Sequence, residues 1–206
     1  MMSINFNEDI NLVCGKFPEN PKIMKIFDAL IIEFLNALSV TVAKDKSINK
    51  YQDLKTFGFW CRRKNIIKLA EGYRQNRTFI GRGIVLHITP SNVALNFAYS
   101  LAFGLLSGNC NIVRLPSKNF YQVIILCDII KHLLDQNDFV ELKNQICLIQ
   151  YERSDKISAF LSNIANARII WGGNETIRKF KSFSTMPRCV DVMFPDRYSI
   201  SIINTN

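Results

Sequence analysis

From residue 84 onward, short apolar runs alternate with longer helical ones, and this alternation constrains the fold more than any other feature of the chain. "IVLHI" (84–88), "NIVRL" (111–115), "ICLI" (146–149) and "RIIW" (168–171) read as strands. Residues 92–107, 119–135 and 154–165 read as helices, a short helix starts at Asn174, and "VDVMF" and "YSISII" read as two further strands. Strands separated by helices need crossover connections, which are right-handed and give a mostly parallel sheet. The 92–107 segment is apolar on every side, so it is expected to lie buried against that sheet. The expected fold class is therefore α/β, a mostly parallel sheet with flanking helices.

The first 80 residues read differently. Asn20-Pro21 resembles a helix start, and Ile23, Ile26, Phe27, Leu30, Ile31, Phe34 and Leu35 follow at helical spacing. A polar link, "KDKSINKYQD", leads to a second helix carrying Leu54, Phe57, Trp60, Ile67 and Leu69. Gly81-Arg82-Gly83 then punctuates the chain. The expected organisation is a helical segment over 1–80 followed by an α/β domain over 81–206.

At 206 residues, with 48% hydrophobic and 21% charged content, the chain can bury a sizeable core and is not of a disordered class. The start carries no basic region followed by an apolar run, and the most apolar stretch, 93–106, is interrupted by Asn96, Ser100 and Gly104. A membrane span needs roughly 20 apolar residues, so neither a secretory signal nor a span is expected, and a cytoplasmic location is. The six cysteines form no CxxC pair and His87 and His132 lie far apart, which excludes metal-site spacing and predicts reduced, buried thiols. Between Arg62 and Arg82 lie Arg62, Arg63, Lys64, Lys68, Arg74, Arg77 and Arg82 against the single acid Glu71, and a second basic cluster is Arg178, Lys179 and Lys181, within a formal charge of +9. Such a cluster is either a solvated helix face or a field that draws anions: cofactor phosphates, a coenzyme A tail or nucleic acid. No nucleic-acid motif accompanies it, which puts nucleic acid last of the three.

In a parallel sheet the turns that follow the strands share the carboxyl edge, where ligands bind. Three of these turns are unusual. Thr89-Pro90-Ser91-Asn92 follows the first strand, Leu115-Pro116-Ser117-Lys118 the second, and Gly172-Gly173 the fourth. Two glycines between strand and helix allow close backbone approach, with free helix N–H groups directed at an anion, although glycines are also common in tight turns. The pair is not GxGxxG. Asn92 could cap the following helix or aim its amide at an oxyanion. Arg114 and Lys118 could meet a phosphate or ribose, or be solvated charges. No nucleophile–base pair stands out: Cys110 and Cys189 have no histidine beside them in sequence, and Asp191 and Asp196 flank Phe194-Pro195.

The stretch "ITPSNVALNFAYSLAFGLLSGNCNIVRLPSK" resembles the aldehyde dehydrogenase superfamily, in which a Pro-Trp-Asn-Phe-Pro-like turn precedes a buried helix, a Gly-Asn dipeptide, a strand and a Lys-Pro-Ser-Glu turn. With "FWCRRKNI", "IIWGGNETI" and "FPDRYSISII" it is similar to the acyl-CoA reductase branch, the Lux-type fatty-acid reductases of bacterial bioluminescence and their relatives. The likeness runs from about Phe57 to the last residue. It implies a Rossmann-like nucleotide-binding domain and an NADPH-dependent reduction of a fatty acyl thioester, from CoA or an acyl carrier, to an aldehyde by way of a cysteine thioester. It also implies an acyl-protein synthetase-type partner, a homo-oligomer at full length and no metal.

By the same resemblance Asn92 matches the asparagine that donates to the oxyanion, and Thr89, Pro116, Gly172 and Gly173 match backbone positions around the dinucleotide. The lysine of Lys-Pro-Ser-Glu aligns with Leu115, and its glutamate with Lys118. An ammonium at 118 would attract a 2′-phosphate that a carboxylate repels, so NADPH is expected over NADH. The Glu-Leu-Gly-Gly motif of the hydrolytic enzymes is missing near "FPDRYS". In the family the nucleophilic cysteine comes well after that stretch, in a catalytic domain. The chain is thus expected to be the amino-terminal cofactor-binding part, inactive alone, with an exposed apolar face. An aldehyde dehydrogenase running toward the acid, a non-catalytic nucleotide- or partner-binding module, and an anion scaffold built on Arg62 to Arg82 remain as alternatives.

Overall fold

The computed structural model of the chain describes residues 9–73, 77–197 and 200–203. Strand β1 (Asn11–Gly15) comes first, then helices α1 (Ala29–Lys44), α2 (Gln52–Trp60) and α3 (Arg63–Glu71), with a 3₁₀ turn at Lys46–Lys50. Beyond these, β2 (Ile84–Ile88), α4 (Asn96–Leu106), β3 (Cys110–Arg114), α5 (Tyr121–Leu134), β4 (Ile146–Gln150), α6 (Asp155–Ile164), β5 (Ala167–Trp171), α7 (Asn174–Ser182) and β6 (Val190–Phe194) alternate, with a second 3₁₀ turn at Val140–Asn144. The α/β class read from the sequence is the observed one.

The six strands form one sheet in the order β1-β4-β3-β2-β5-β6. Strands β2 to β6 are mutually parallel, and β1 pairs antiparallel with β4 at one edge. The chain steps from β2 through β3 to β4 in one direction and then returns to place β5 on the other side of β2. The strand order therefore reverses between β2 and β5, a topological switch point at which open α/β sheets leave a crevice.

Alternation along the strands feeds two cores. On one face Val113, Ile146 and Leu148 pack with α1, α4 and α5. On the other, Leu86, Ile112, Ile149 and Ile170 pack with Ile157 and Leu161 of α6 and with Ile177 and Phe180 of α7. Helix α4 is buried as expected, and it lies close to the sheet because Gly104 carries no side chain: a Cβ there would stand 1.9 Å from Asn111 Oδ1.

The amino-terminal part differs from the sequence reading in three places. Strand β1 was not expected and joins the sheet. The helix anticipated at Asn20-Pro21 starts only at Ala29, where the Asp28 carboxylate caps it by accepting from Leu30 N at 2.9 Å. Residues 24–27 are instead tied to two distant segments: Met24 N donates to Gly108 O, Ile26 N to Phe79 O and Phe27 N to Leu106 O. The second helix is split into α2 and α3 at Cys61-Arg62. At the other end, Tyr198 and Ser199 of "YSISII" lie outside the described residues, and 200–203 carry no regular structure, with Ile200 and Ile202 almost fully exposed.

Candidate cofactor cleft

Strand register brings the unusual turns to one rim. Ile88 pairs with Arg114 of β3 and with Ile170 of β5, so β2, β3 and β5 end side by side. Beyond these ends lies a cleft of about 580 Å³. Thr89, Asn92, Gly172 and Gly173 line it, together with Arg114, Ser117, Arg153, Asp155, Trp171 and Lys179. Four of the six residues singled out from sequence thus share one surface. Pro116 and Lys118 do not line it: Pro116 is buried behind the rim, and Lys118 is exposed with Nζ 5.5 Å from the centre of the Phe120 ring.

Asn92 is not a helix cap. Helix α4 begins four residues later, with Leu95 at its N-cap and no side-chain cap bond. The Asn92 side chain is exposed at the cleft and makes no hydrogen bond among the described residues, which leaves its amide free to donate. Thr89 is committed to the scaffold, since its hydroxyl donates to Arg114 O at 2.7 Å and bolts the β2 turn to the end of β3.

The glycine pair is explained by crowding. Neither glycine has positive φ. A Cβ at Gly172 would meet Thr176 at 3.0 Å, and one at Gly173 would meet the Asp196 carboxylate at 3.3 Å. That carboxylate also modifies an expectation: the α7 N–H groups are not all free, because Asn174 N donates to Asp196 Oδ2 at 3.0 Å, and in the turn before the helix Gly172 N donates to Phe194 O at 3.3 Å. The second acid near Phe194-Pro195, Asp191, binds Arg168 through two bonds of 2.7 Å, so the two aspartates are structural rather than a paired acid and base.

Three cations that sequence reasoning either left open or missed face the cleft. The Arg114 guanidinium lies 4.3 Å from the Tyr151 ring centre and donates to Tyr151 O at 3.2 Å. Arg153, exposed on the turn after β4, lines the same cleft. Lys179 of α7 pairs with Asp155 at 2.5 Å. The signal for Arg153 was topological: it follows a strand neighbouring β3, but no motif marks it.

Beneath the rim, His87 is fully buried and bridges α4 to β3, with Nδ1 2.8 Å from Ser100 Oγ and Nε2 3.0 Å from Asn111 Oδ1. The Asn111 amide nitrogen donates to Asn109 O and Gln145 O, so its oxygen must be the acceptor; His87 Nε2 then carries the proton and Nδ1 accepts from Ser100. Burial lowers the His87 pKa to about 4.

The thiols are inert in character. Burial raises the pKa of Cys14 and Cys110 to about 11 and of Cys127 and Cys147 to about 12, pushes Cys61 up further, and also raises Cys189. Among the described residues no histidine, cysteine or acidic cluster could hold a metal, and no helix is long and apolar enough to cross a membrane. The Arg62 to Arg82 cluster stays apart from the cleft: Arg62 lies over the Phe59 ring, Arg63 pairs with Glu33 and Arg82 donates to Arg188 O. Arg74 is outside the described residues.

A family model, acyl-CoA reductase (LuxC), matches residues 54–206. The chain belongs to the LuxC acyl-CoA reductase family. Solved structures agree on the fold. The LuxC-family chain is similar to a NAD-dependent benzaldehyde dehydrogenase from Corynebacterium glutamicum (12% identity, TM-score 0.51, covering 80% of this chain and 42% of that one). It is also similar to Proline Utilization A from Bradyrhizobium japonicum, mutant D779W (14%, 0.54, 80% and 19%), and to a lactaldehyde dehydrogenase (14%, 0.52, 74% and 36%). It therefore spans less than half the length of these structures. No curated protein matches it.

The lining that suits a dinucleotide lies at the turns after β2, β3 and β4, where the Asn92 amide is unpaired among the described residues and Arg114 and Arg153 present guanidinium donors. At the β5 turn the space beside Gly172 and Gly173 is filled by Thr176 and the Asp196 carboxylate.

Proposed function

We propose that the chain carries the cofactor-binding part of an NADPH-dependent acyl-CoA reductase, acting on a fatty acyl thioester held by CoA or an acyl carrier. The observation that carries this reading is the convergence of the turns after β2 and β5, and of Arg114 at the end of β3, on one cationic cleft at the switch point. The family match supports the reaction class.

In this reading the dinucleotide borders the β5 turn at Gly172 and Gly173, Thr89 holds the β2 and β3 turns in register, and Pro116 fixes the bend behind them. NADPH is favoured over NADH because the rim after β3 offers Arg114 in the cleft and Lys118 just beyond it, with no carboxylate between. When bound, the cofactor would supply a hydride to the thioester carbon. Asn92 Nδ2 donates to the carbonyl oxygen as the electron pair moves onto it; removing one such donor typically costs a factor of about 10² to 10³ in turnover. Collapse of that oxyanion breaks the carbon–sulfur bond, releasing aldehyde and a thiolate that takes up a proton. Burial raises the pKa of all six cysteines here and so disfavours the thiolate that accepts an acyl group. The acyl-accepting cysteine is therefore assigned to a catalytic part beyond these residues, and the chain by itself binds nucleotide without turnover. The inert thiols equally favour the second reading, a non-catalytic nucleotide-binding module.

The test is a titration of the full chain with NADPH and NADH, followed by an assay of acyl-CoA-dependent NADPH oxidation. Saturable NADPH binding without turnover is the expected result. Turnover by the 206-residue chain would overturn the assignment of the cysteine, and absence of binding by either nucleotide would overturn the reading itself.

A further inference from the structure

We propose that Arg114 and Arg153 form a clamp for a phosphate monoester on a secondary (2′ or 3′) hydroxyl of a ribose, at the β3–β4 side of the cleft; this rests on the cofactor reading above and specifies which groups grip the phosphate. Arg114 ends β3 and its guanidinium is already oriented, lying on the Tyr151 ring at 4.3 Å and donating through one nitrogen to Tyr151 O at 3.2 Å. That bond engages one of five N–H donors, so the rest of the fork remains available. Tyr151 is itself fixed, buried with its hydroxyl 3.2 Å from Ser158 Oγ. Arg153 follows two residues after the carbonyl that Arg114 holds, is exposed, and makes no ion pair among the described residues. Among the described residues the one acid lining the cleft, Asp155, is engaged by Lys179, and the Asp196 carboxylate next to Gly173 is engaged by Asn174 N.

Two guanidinium groups on adjacent turns suit a small dianion better than the spread charge of a diphosphate. A phosphate monoester reaches nearly two charges at neutral pH, its second pKa being about 6, and a planar fork donates to its oxygens in pairs. Position separates the two phosphate sites. Strands β3 and β5 lie on either side of β2, two strand spacings or about 10 Å apart, so a diphosphate beside Gly172-Gly173 and a monoester beside Arg114 can belong to one nucleotide. Lys118 is not part of the clamp, because its ammonium lies over Phe120 outside the cleft.

The same chemistry is present in the 2′-phosphate of NADPH and the 3′-phosphate of CoA. The experiment titrates the full chain calorimetrically with 2′,5′-ADP, 3′,5′-ADP and AMP, for the wild type and for Arg153→Gln and Arg114→Lys. Arg153 has no partner to lose, so its substitution is not expected to disturb folding. Wild type should bind a bisphosphate more tightly than AMP; Arg153→Gln should weaken that binding about tenfold or more while leaving AMP unchanged, and Arg114→Lys, which keeps the charge but loses the fork, should fall between. Preference for 2′,5′-ADP assigns the clamp to the cofactor, and preference for 3′,5′-ADP assigns it to CoA. Equal affinity for all three ligands, or an Arg153→Gln effect that includes AMP, would overturn the clamp. If NADH binds in parallel titrations while the bisphosphates gain nothing, the clamp alone fails; if no dinucleotide binds, the cofactor reading fails with it.

Discussion

The Asp196 carboxylate sits against the first turn of α7, accepting from Asn174 N at 3.0 Å, and so a residue from beyond the last strand caps the helix that faces the cleft. An anion at a helix amino terminus satisfies an otherwise orphaned N–H and meets the positive end of the helix dipole. Replacing Asp196 with Ala should cost about 1 kcal/mol of stability in urea denaturation, as loss of a cap does, whereas Asn, which retains the acceptor, should stay within a few tenths of wild type. Equal stability of Ala and wild type would mean that the contact contributes nothing to the fold.

Stability should depend on acid through His87. The imidazole titrates near 6.5 when exposed and at about 4 in the folded chain, where burial opposes its charge. Between these values the unfolded state binds a proton that the folded state refuses, so stability is complete above 6.5 and falls as the pH drops toward 4. Below 4 both states are protonated and no further loss arises from this group. The total is on the order of 3 kcal/mol at about 1.4 kcal/mol per pH unit. Denaturation curves at pH 7, 5.5 and 4.5 should show this slope in wild type, and His87→Gln should lose much of it.

The thiols should be nearly silent. Five cysteines are buried and their thiolates disfavoured, while Cys189 is only half-covered. A native-state reaction with an aromatic disulfide at pH 8 should label Cys189 slowly and the other five only after denaturant is added. Rapid native labelling of any buried cysteine would contradict the account of inert thiols.

In the proposed reading Lys118 acts at longer range than Arg153. Its ammonium is exposed and outside the cleft, so solvent screens it. Lys118→Glu should weaken NADPH by about two- to fivefold, the scale of an exposed charge, and leave NADH almost unchanged. An unaltered NADPH-to-NADH ratio would remove Lys118 from the cofactor's surroundings.

The parallel strands were legible because each carries its own apolar run and β2 through β5 are each followed by a helix, so local pattern and tertiary role agree there, with β6 closing the series after α7. β1 was not legible. Its five residues, Asn11 to Gly15, gain their place from pairing with β4, whose partner lies more than 130 residues away in sequence. Apolar spacing after Asn20-Pro21 pointed to a helix, but the backbone of Met24 to Phe27 is taken up by Phe79 and by the turn after α4, and long-range pairing overrides the local preference. The rim was readable from glycine, proline and asparagine in strand-end turns. Arg153 and the Asp196 cap were not, because their significance depends on which turns become neighbours, and strand order cannot be read from a single strand.

The most direct test of the cleft is backbone hydrogen exchange of the full chain with and without saturating NADPH. The account predicts slowed exchange over 89–95, 114–118, 151–155 and 172–177, the turns that ring the cleft, with the Arg62 to Arg82 segment unchanged. Protection confined to that basic segment, or binding that slows none of the rim turns, would contradict it.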